Sequence, residues 1–336
     1  MGGGARGRAV RPRALLAADC GRGVGLGHLE RMLALADALR SDVDVNVVLP
    51  LGDAPLRARV VDRGHTPLEA IGDSVERVGA AVDDSSGFDA VVLDGYVFDL
   101  ALQRRLRARA PLTVVDDLCL PADCDLAVNP SPAGDRMRPS GATAFLGGAR
   151  FALLRSSFVE ARDLVSGRGL ARRTVLVSTG ATDLDGIGAQ VTTDLLDGDE
   201  TVEVIRVVGP DAHPVHGGGL ARERLIIAPP SLAEVMSEAT IYAGAAGTTA
   251  VQAACVGIPA VITAAVPNQV AQADALAVAG CALVVDAADV AATCLALLDD
   301  RARCADMSAR GRALVDGRGA NRVAAAVRDL IAARAA

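Results

Sequence analysis

The stretch Gly21-Arg22-Gly23-Val24-Gly25-Leu26-Gly27-His28-Leu29-Glu30-Arg31 decides the fold of this chain. It follows the apolar run Ala14–Ala18 and precedes a helical pattern, so it predicts a glycine-rich turn between a strand and a helix. Such a turn lets a ligand approach the backbone, and the helix N-terminus supplies free N–H groups and a positive potential. That potential disfavours protonation of His28, so we expect a neutral imidazole that could act as a base.

A purely structural interpretation of this turn has about equal weight when the segment is taken alone. Glycine-rich turns between strands and helices are common in α/β proteins, and His28 could simply cap its helix. Moreover, the spacing of Gly23, Gly25 and Gly27 does not fit the dinucleotide-binding motif, because His28 stands where that motif continues toward its third glycine. The function therefore has to be argued from several segments together.

Composition and charge exclude several classes of protein. The length of 336 residues predicts two domains, at roughly 150 residues each. Because the chain has no Trp, two Tyr and five Phe, stacking platforms for single-stranded nucleic acid are not expected. All 34 basic residues are arginines, which excludes Schiff-base chemistry and a P-loop lysine. With a net charge of −7 and no basic cluster beyond the first 13 residues, no nucleic-acid partner is expected.

Membrane, metal and disulfide roles are not expected either. No apolar run reaches the roughly 20 residues of a membrane span, and no signal-peptide core is present. The seven cysteines lack C-x-x-C spacing and lie mostly in apolar stretches, which indicates reduced thiols in a cytoplasmic protein. His213 and His216 could form a metal pair, but no acidic third ligand lies nearby, so we expect no metal. No cofactor is expected.

Apolar strand-like runs alternate with helical patterns in two series, which is typical of parallel α/β layers. We therefore predict two doubly wound Rossmann-like domains that face each other across a cleft, with ligands beyond the carboxyl ends of the strands. The predicted division has five parts: residues 1–13 as a disordered start, 14–155 as the first domain, 156–173 as a linker, 174–318 as a nucleotide-binding second domain, and 319–336 as a helix that packs back on the first domain.

In the second series, two loops lie at the expected ligand edge. Gly244–Thr249 runs from a strand into a helix through small residues, and Thr248 and Thr249 could cap that helix or bind an anion such as a diphosphate. One strand later, Asn268 and Gln269 place two amides at another helix N-terminus, although Asn268 could be a simple cap. The loop 178–183 completes this rim.

In the first series, Asp94 and Tyr96 follow the strand Ala90–Leu93, on the same edge as His28. Asp94 could orient the imidazole or a water molecule, and Tyr96 could bond a phosphate or sugar oxygen. The pair Asp116-Asp117 ends the next strand, and turn chemistry is the favoured interpretation of both residues.

Taken together in their order and spacing, these segments resemble one family. They are similar to the nucleotide-sugar hydrolases of the pseudaminic acid pathway, the UDP-2,4-diacetamido-2,4,6-trideoxy-sugar hydrolases, and to their spore-coat polysaccharide relatives, in the GT-B group with the MurG-like glycosyltransferases. The matching pieces run almost from end to end: Ala18-Asp19, Gly25-x-Gly27-His28-x-x-Arg31, Asp94-x-Tyr96-x-x-Asp99, Val115-Asp116-Asp117-Leu118, Cys124-Asp125-Leu126, Ala152-Leu153-Leu154-Arg155-x-x-Phe158, Val177-Ser178-x-Gly180-x-x-Asp183, Gly244-x-x-Gly247-Thr248-Thr249, Gly257-x-Pro259, Asn268-Gln269 and Asp316-Gly317-x-Gly319-Ala320-x-Arg322-Val323.

The resemblance implies hydrolysis of a nucleoside-diphosphate sugar between the anomeric carbon and the phosphate oxygen, without a metal. His28 corresponds to the proposed base that activates water, and Tyr96 and Asn268 correspond to polar groups of the active site. One base and one water molecule make a single displacement, so we expect inversion at the anomeric carbon. The substrate-binding residues predicted from the motifs and their edges are Asp19, Gly25, Gly27, Arg31, Asp94, Gly247, Thr248, Thr249, Gln252 and Gln269.

Two positions depart from the family pattern. Gly95 stands where the second signature usually has His, and Gln252 stands where the third usually has Glu at the ribose. These changes leave the sugar and the base open. A GT-B glycosyltransferase with the same donor site and a non-catalytic nucleotide-sugar-binding protein therefore stay as alternatives, although the lack of an apolar, basic membrane-docking patch favours water as the acceptor. We expect a nucleotide-sugar ligand, no membrane partner, and a monomer or weak homodimer.

Overall fold

The computed structural model describes residues 11–21, 26–83, 87–168, 172–180, 186–209 and 221–336. Of the predicted disordered start, residues 1–10 lie outside this description, and Arg13 opens the first strand. The described residues form two parallel sheets with helices packed on them. The α/β class and the two Rossmann-like halves predicted from the sequence are therefore confirmed.

The N-terminal sheet has seven parallel strands in the order β3-β2-β1-β4-β5-β6-β7. Its strands are β1 (Arg13–Ala18), β2 (Asp44–Pro50), β3 (Thr66–Ala70), β4 (Ala90–Asp94), β5 (Leu112–Val115), β6 (Leu126–Asn129) and β7 (Ala144–Gly147), and its helices are α1 (Gly27–Leu39), α2 (Ala54–Val61), α3 (Ser74–Asp83) and α4 (Leu100–Arg107). The central strands are continuous apolar runs because both faces of the sheet are covered by helices.

The order in which strands are added to this sheet reverses between β1 and β4: β2 and β3 extend it on one side, and β5, β6 and β7 extend it on the other. β1 and β4 are neighbours, and Ala18 pairs with Asp94 at their carboxyl ends. In a doubly wound sheet the crevice at such a switch point is the usual place for a ligand. The loop after β1 leads to His28, so the topology brings this histidine and Asp94 to one place.

The C-terminal sheet has six parallel strands in the order β10-β9-β8-β11-β12-β13. Its strands are β8 (Thr174–Ser178), β9 (Glu203–Val208), β10 (Glu223–Ile227), β11 (Ile241–Ala245), β12 (Ala260–Thr263) and β13 (Ala282–Val284), and its helices are α5 (Ser156–Arg168), α6 (Ile187–Gly198), α7 (Leu232–Glu238), α8 (Thr248–Val256), α9 (Val270–Val278), α10 (Val290–Asp299) and α11 (Arg301–Leu314). The switch point here lies between β8 and β11, where Ser178 pairs with Gly244.

Two helices join the halves. The segment 156–173, predicted as a linker, contains α5, whose Phe158 and Ala161 are buried in the core of the C-terminal half. The last helix, α12 (Gly319–Ala335), returns to the N-terminal half, where Val323 and Val327 share a core with Leu33 of α1. None of the helices in the described ranges is both long and apolar enough to cross a membrane.

Two short edge strands were not predicted from the sequence. β3 reads Thr-Pro-Leu-Glu-Ala and is only half-buried, and β7 is likewise partly exposed. Edge strands need fewer apolar residues than central ones and tolerate proline, so the hydrophobic pattern does not reveal them.

Candidate active site

His28 is the second residue of α1, and its ring is held by a buried carboxylate. The imidazole Nδ1 lies 2.7 Å from Oδ1 of Asp94, the last residue of β4. Asp94 is fully buried, whereas 18% of the His28 side chain is exposed. The histidine ring is therefore held at Nδ1, and part of its side chain is exposed.

Arg31, one turn further along α1, bonds the same carboxylate as His28. Its Nη2 and Nε donate to Oδ1 and Oδ2 of Asp94 at 2.6 and 2.9 Å. Nη2 of Arg31 also lies 2.9 Å from Nδ1 of His28, but the 2.7 Å contact of Nδ1 with Asp94 is shorter and a carboxylate only accepts. We therefore assign Nδ1–H of His28 as a donor to Asp94. The lone pair of the imidazole then lies on Nε2. This arrangement suits a general base, because the carboxylate fixes the tautomer and stabilises the imidazolium that forms.

Asp117 and Tyr96 complete the network around His28. Nη1 of Arg31 donates to Oδ2 of Asp117 at 2.8 Å, and the Tyr96 hydroxyl donates to Oδ1 of the same carboxylate. The Tyr96 ring meets the imidazole edge-on, with ring centroids 5.1 Å apart. Burial and the neighbouring Asp117 raise the pKa of Tyr96 well above its usual value, so the phenol keeps its proton.

The pair Asp116-Asp117 does not behave as one turn element, which corrects the interpretation from the sequence. Asp116 does accept from the backbone N–H groups of Leu118 and Leu120, as turn chemistry requires. Asp117, by contrast, belongs to the His28 network. Burial alone would raise its pKa, but the charge of Arg31 and the hydrogen bonds from Tyr96 and Arg31 hold it below the usual value.

The cleft between the two sheets contains a cavity of ≈ 270 Å³. Both halves and the start of α5 contribute to its wall. From the N-terminal half come Leu26, Gly27, Glu30 and Arg59; Arg155 and Phe158 lie at the junction; and the C-terminal half contributes among others Ser178, Val207, Pro229, Pro230, Leu232, Gly247, Thr248, Thr249, Gln252 and Gln269. Polar groups thus surround a largely apolar slot, the usual character of a small-molecule site.

The threonine turn approaches the glycine turn at this cavity. A Cβ added to Gly27 would lie 3.4 Å from the Thr248 hydroxyl oxygen, so a side chain there would narrow the gap between the halves. The N-cap of α8 is Gly247, which makes no side-chain capping bond. Thr248 and Thr249 are the first two residues of α8, so neither is its N-cap, and the N–H groups of a first helical turn are available to an anion.

Gln252 presents an unsatisfied polar atom to the same cavity. It lies one turn after Thr248 on α8 and is only 8% exposed, yet its Oε1 has no hydrogen-bond partner within the part of the chain that the structure describes. Buried polar atoms are nearly always satisfied in folded proteins. A donor on a bound ligand, such as a sugar hydroxyl, would satisfy this one.

Several solved glycosyltransferases share this arrangement of two facing sheets. The spinosyn forosaminyltransferase SpnP superposes with a TM-score of 0.68 at 16% sequence identity, over 96% of this chain and 99% of that one. MurG from Acinetobacter baumannii superposes with a TM-score of 0.65 at 16% identity, over 95% of this chain and 99% of that one. The chain has a GT-B fold.

A third GT-B structure was solved with a nucleotide. The glycosyltransferase SsfS6 of Streptomyces sp. SF2575, complexed with thymidine diphosphate, superposes with a TM-score of 0.64 at 14% identity, over 95% of this chain and all of that one (100%). No protein-family model and no curated protein sequence matches the chain. At these identities the likeness concerns the fold alone.

Position 95, where the family usually has His, leaves no room for a side chain in this structure. Gly95 has a φ of +149°, and a Cβ there would lie 2.7 Å from Cβ of Asp19 and 3.3 Å from its backbone nitrogen. Asp19 is itself held, because Ser74 donates to its Oδ1 at 2.8 Å. A histidine at position 95 would require this aspartate to move.

The remaining predicted site residues are distributed unevenly. Gln269 lines the cavity, and its Oε1 accepts from Ala265 N–H at 3.0 Å. Asn268, on the same 3₁₀ turn, is exposed and is not part of the cavity wall. Arg31 lies in the His28 network and borders a second, small cavity of ≈ 20 Å³ together with Thr248. The predicted residues Gly25, Asp183, His213 and His216 lie outside the described residues.

The sequence did not reveal four residues of the GT-B cleft as functional. These are Glu30, Arg59, Arg155 and Phe158 on the cavity wall. Arg155 and Phe158 belong to the motif Ala152-Leu153-Leu154-Arg155-x-x-Phe158, which could have indicated them. The sequence around Arg59 contains no motif that indicates a function. Among the described residues there is no group of three or more metal-binding side chains.

Proposed function

We propose that this chain cleaves the anomeric C–O bond of a nucleoside-diphosphate sugar, with His28 as the base that deprotonates the attacking oxygen. One observation carries the proposal. Asp94 holds Nδ1 of His28, and Gly27, the residue before His28, comes close to the Thr248 hydroxyl of the other half. His28 and Tyr96 are not on the wall of the ≈ 270 Å³ cavity, whereas Gly27 and Thr248 are. The proposal therefore places the reacting sugar at the end of the cavity where Gly27 and Thr248 meet, next to His28.

The C-terminal half supplies the features expected of a donor site. The diphosphate would accept from the first N–H groups of α8 and from the hydroxyls of Thr248 and Thr249. The nucleoside would lie in the apolar slot beside Phe158, with a ribose hydroxyl donating to Gln252 Oε1. The complex of SsfS6 with thymidine diphosphate supports a nucleotide as the ligand of this fold.

The reaction would be a single displacement. Nε2 of His28 takes a proton from the nucleophile, whose oxygen forms a bond to the anomeric carbon as the bond to the diphosphate oxygen breaks. The electron pair of that bond leaves with the diphosphate, which the helix terminus stabilises. Asp94 stabilises the imidazolium, and a positioned base of this kind contributes roughly 10²–10⁴ in rate. The product should have inverted configuration at the anomeric carbon.

Water is the first candidate for the nucleophile, because the sequence resembles nucleotide-sugar hydrolases in its motifs. Hydrolysis is tested by incubation with UDP-, TDP-, CMP- and GDP-sugars. Nucleotide release would be quantified, and the configuration of the free sugar would be read by NMR immediately after release. We expect release of nucleotide and inverted free sugar from at least one donor, with the His28→Asn variant as the control. Retention of configuration would contradict the mechanism.

An acceptor hydroxyl on an apolar molecule is the second candidate, and one feature of the structure favours it. Leu51, Ile71, Val97 and Leu120 follow β2, β3, β4 and β5 at the edge that carries His28, and all four are exposed, Ile71 to 79%. This weakens the argument from the sequence that an apolar acceptor surface is lacking. If a sugar donor is consumed only when an apolar alcohol is added, and a glycoside accumulates instead of free sugar, the chain is a glycosyltransferase.

A further inference from the structure

One wall of the cavity carries more guanidinium groups than carboxylates among its described residues. Within the described residues, the formal cations on the cavity wall are Arg59 of α2 and Arg155 at the start of α5, and the carboxylate there is Glu30 of α1. The chain contains no lysine. Among the described residues, the formal positive charge that this cavity offers to a ligand therefore comes from these arginines.

Glu30 is already shared between two arginines. Its Oε1 accepts from Nη1 of Arg59 at 2.9 Å, and its Oε2 accepts from Nη2 of Arg63 at 2.9 Å. The other amino group of Arg63, Nη1, is buried without a hydrogen-bond partner in the described structure. The nearby Asp37 is bonded by His65 at 2.9 Å, so it does not satisfy these groups.

Arg155 is the third guanidinium of this cluster, and it forms no ion pair with any described residue. Its Nη1 donates only to the carbonyl oxygen of Pro230, at 3.2 Å, across the junction of the two halves. Burial and the charges of Arg63 and Arg59 lower the pKa of Arg155, while Glu30 and Asp37 act in the opposite direction. Like charges gathered on a cavity wall are the arrangement expected of a site that awaits an anion.

We infer that Arg59 and Arg155, supported by Arg63, form a second anion-binding wall that binds the diphosphate group of the ligand from the side opposite α8. The inference rests on the proposed function for the identity of the ligand. A helix N-terminus carries only about half an elementary charge, whereas a diphosphate carries at least two negative charges. Guanidinium groups supply the difference, and they bond phosphate oxygens through pairs of N–H donors.

This placement has a consequence for the cleft. The two arginines belong to the N-terminal half and the junction, and Thr248 and Thr249 belong to the C-terminal half. A diphosphate bonded from both sides would link the halves directly. The same charge also makes these arginines candidates for stabilising the leaving group as the glycosidic bond breaks.

The test compares three probes by isothermal titration calorimetry at constant ionic strength: UDP, inorganic pyrophosphate and uridine. In the Arg155→Gln variant we expect UDP and pyrophosphate to bind at least about tenfold more weakly, and uridine to change by less than about twofold. Arg59→Gln, on a different element, should act in the same direction. The control is Arg104→Gln, which removes an exposed arginine paired with Asp123 on the surface.

A stability measurement separates ligand binding from a structural role. Since Arg155 is crowded by like charges, Arg155→Gln should leave the melting temperature unchanged or raise it, whereas the loss of a structural arginine would lower it. If Arg155→Gln does not fold, Arg59→Gln carries the test. Unchanged UDP and pyrophosphate affinity in both variants, or an equal loss for uridine, would overturn the inference.

The outcomes also separate this inference from the proposed function. If wild-type protein binds pyrophosphate but not UDP, and Arg155→Gln abolishes that binding, the anion-binding wall is supported and the proposed nucleotide function is contradicted. If UDP binds equally well to wild type and to both variants, the nucleotide site is supported and the anion-binding wall is contradicted. If the wild-type protein binds none of the three probes, both proposals are wrong.

Discussion

The two sheet edges that face each other across the cleft hold their polar groups in opposite ways. On the N-terminal edge, Asp94 is fully buried and accepts from both His28 and Arg31, so each group already has its partners. On the C-terminal edge, the helix that begins at Thr248 has no side-chain cap, and Gln252 Oε1 has no partner among the described residues.

This difference separates two tasks. Groups that are satisfied within the protein hold a reactive atom in place, which is what a base needs before its substrate arrives. Groups that are buried and unsatisfied have their bonds to make with a ligand. The His28 network is therefore organised for chemistry and the start of α8 for binding, and substitutions in the two places should affect different measured quantities.

The largest effect is expected from His28→Asn. The substitution removes the base but keeps a polar side chain, so kcat for nucleotide release should fall by roughly 10²–10⁴-fold. The dissociation constant for UDP should stay within about twofold, because His28 is not one of the groups proposed to bind the nucleotide. Parallel turnover assays and calorimetry would check this. If turnover persists, His28 is not the base; if neither protein turns over any donor, the chain is a binding protein.

Asp94→Asn should have the next largest effect, and it should act on two quantities. The amide would donate to Nδ1 of His28, which moves the ring proton to Nε2 and lowers kcat by about 10²-fold or more. It also leaves the buried Arg31 with only Asp117, at a cost of about 3 kcal/mol in the free energy of unfolding. Urea denaturation and turnover would measure the two effects. A loss of stability with normal kcat would show that Asp94 is purely structural.

The Thr248→Val,Thr249→Val double variant tests the binding edge. Valine has nearly the shape of threonine but lacks the hydroxyl, and a hydrogen bond to a charged oxygen contributes about 1.5–3 kcal/mol. We therefore expect UDP to bind at least about tenfold more weakly, with kcat at saturating donor changed less than the dissociation constant. The matched control is Thr193→Val, an exposed threonine of α6 whose hydroxyl bonds only its own helix. Equal affinities of the double variant and wild type would remove the threonine turn from the site.

The smallest effect is expected from Asp117→Asn, and it depends on pH. The folded protein lowers the pKa of Asp117 below 3.8 through Arg31 and Tyr96, despite the opposing effect of burial. A carboxyl group with a lowered pKa stabilises the fold above its unfolded pKa, and this contribution disappears as the pH falls through the folded value.

Wild type should therefore be more stable than Asp117→Asn at neutral pH, and the difference should shrink as the pH falls below 3.8. Urea denaturation at several pH values would check this, with Asp62→Asn, an exposed carboxylate on the surface, as the control. A difference that stays constant across this range would argue against the ionic network around Arg31.

How much of the site could be read from the sequence depends on how its residues are connected. His28 and Asp94 end up together because all strands of a parallel sheet have their carboxyl ends at one edge, which the alternating pattern already indicates, and because β1 and β4 are neighbours in that sheet. Asp116 and Asp117 could not be told apart, because neighbouring residues at a strand end point in different directions and the pattern does not say which faces Arg31.

Local pattern therefore determines the class of fold, the two series of strands and the glycine and threonine turns, because hydrophobic periodicity and backbone freedom are properties of short segments. It does not determine that Arg59 and Arg155, nearly a hundred positions apart, line one cavity, nor that Asn268 is exposed and lies off its wall. Those relations depend on how two sheets and the helix between them pack, because burial and charge compensation arise between segments that the chain brings together only when it folds.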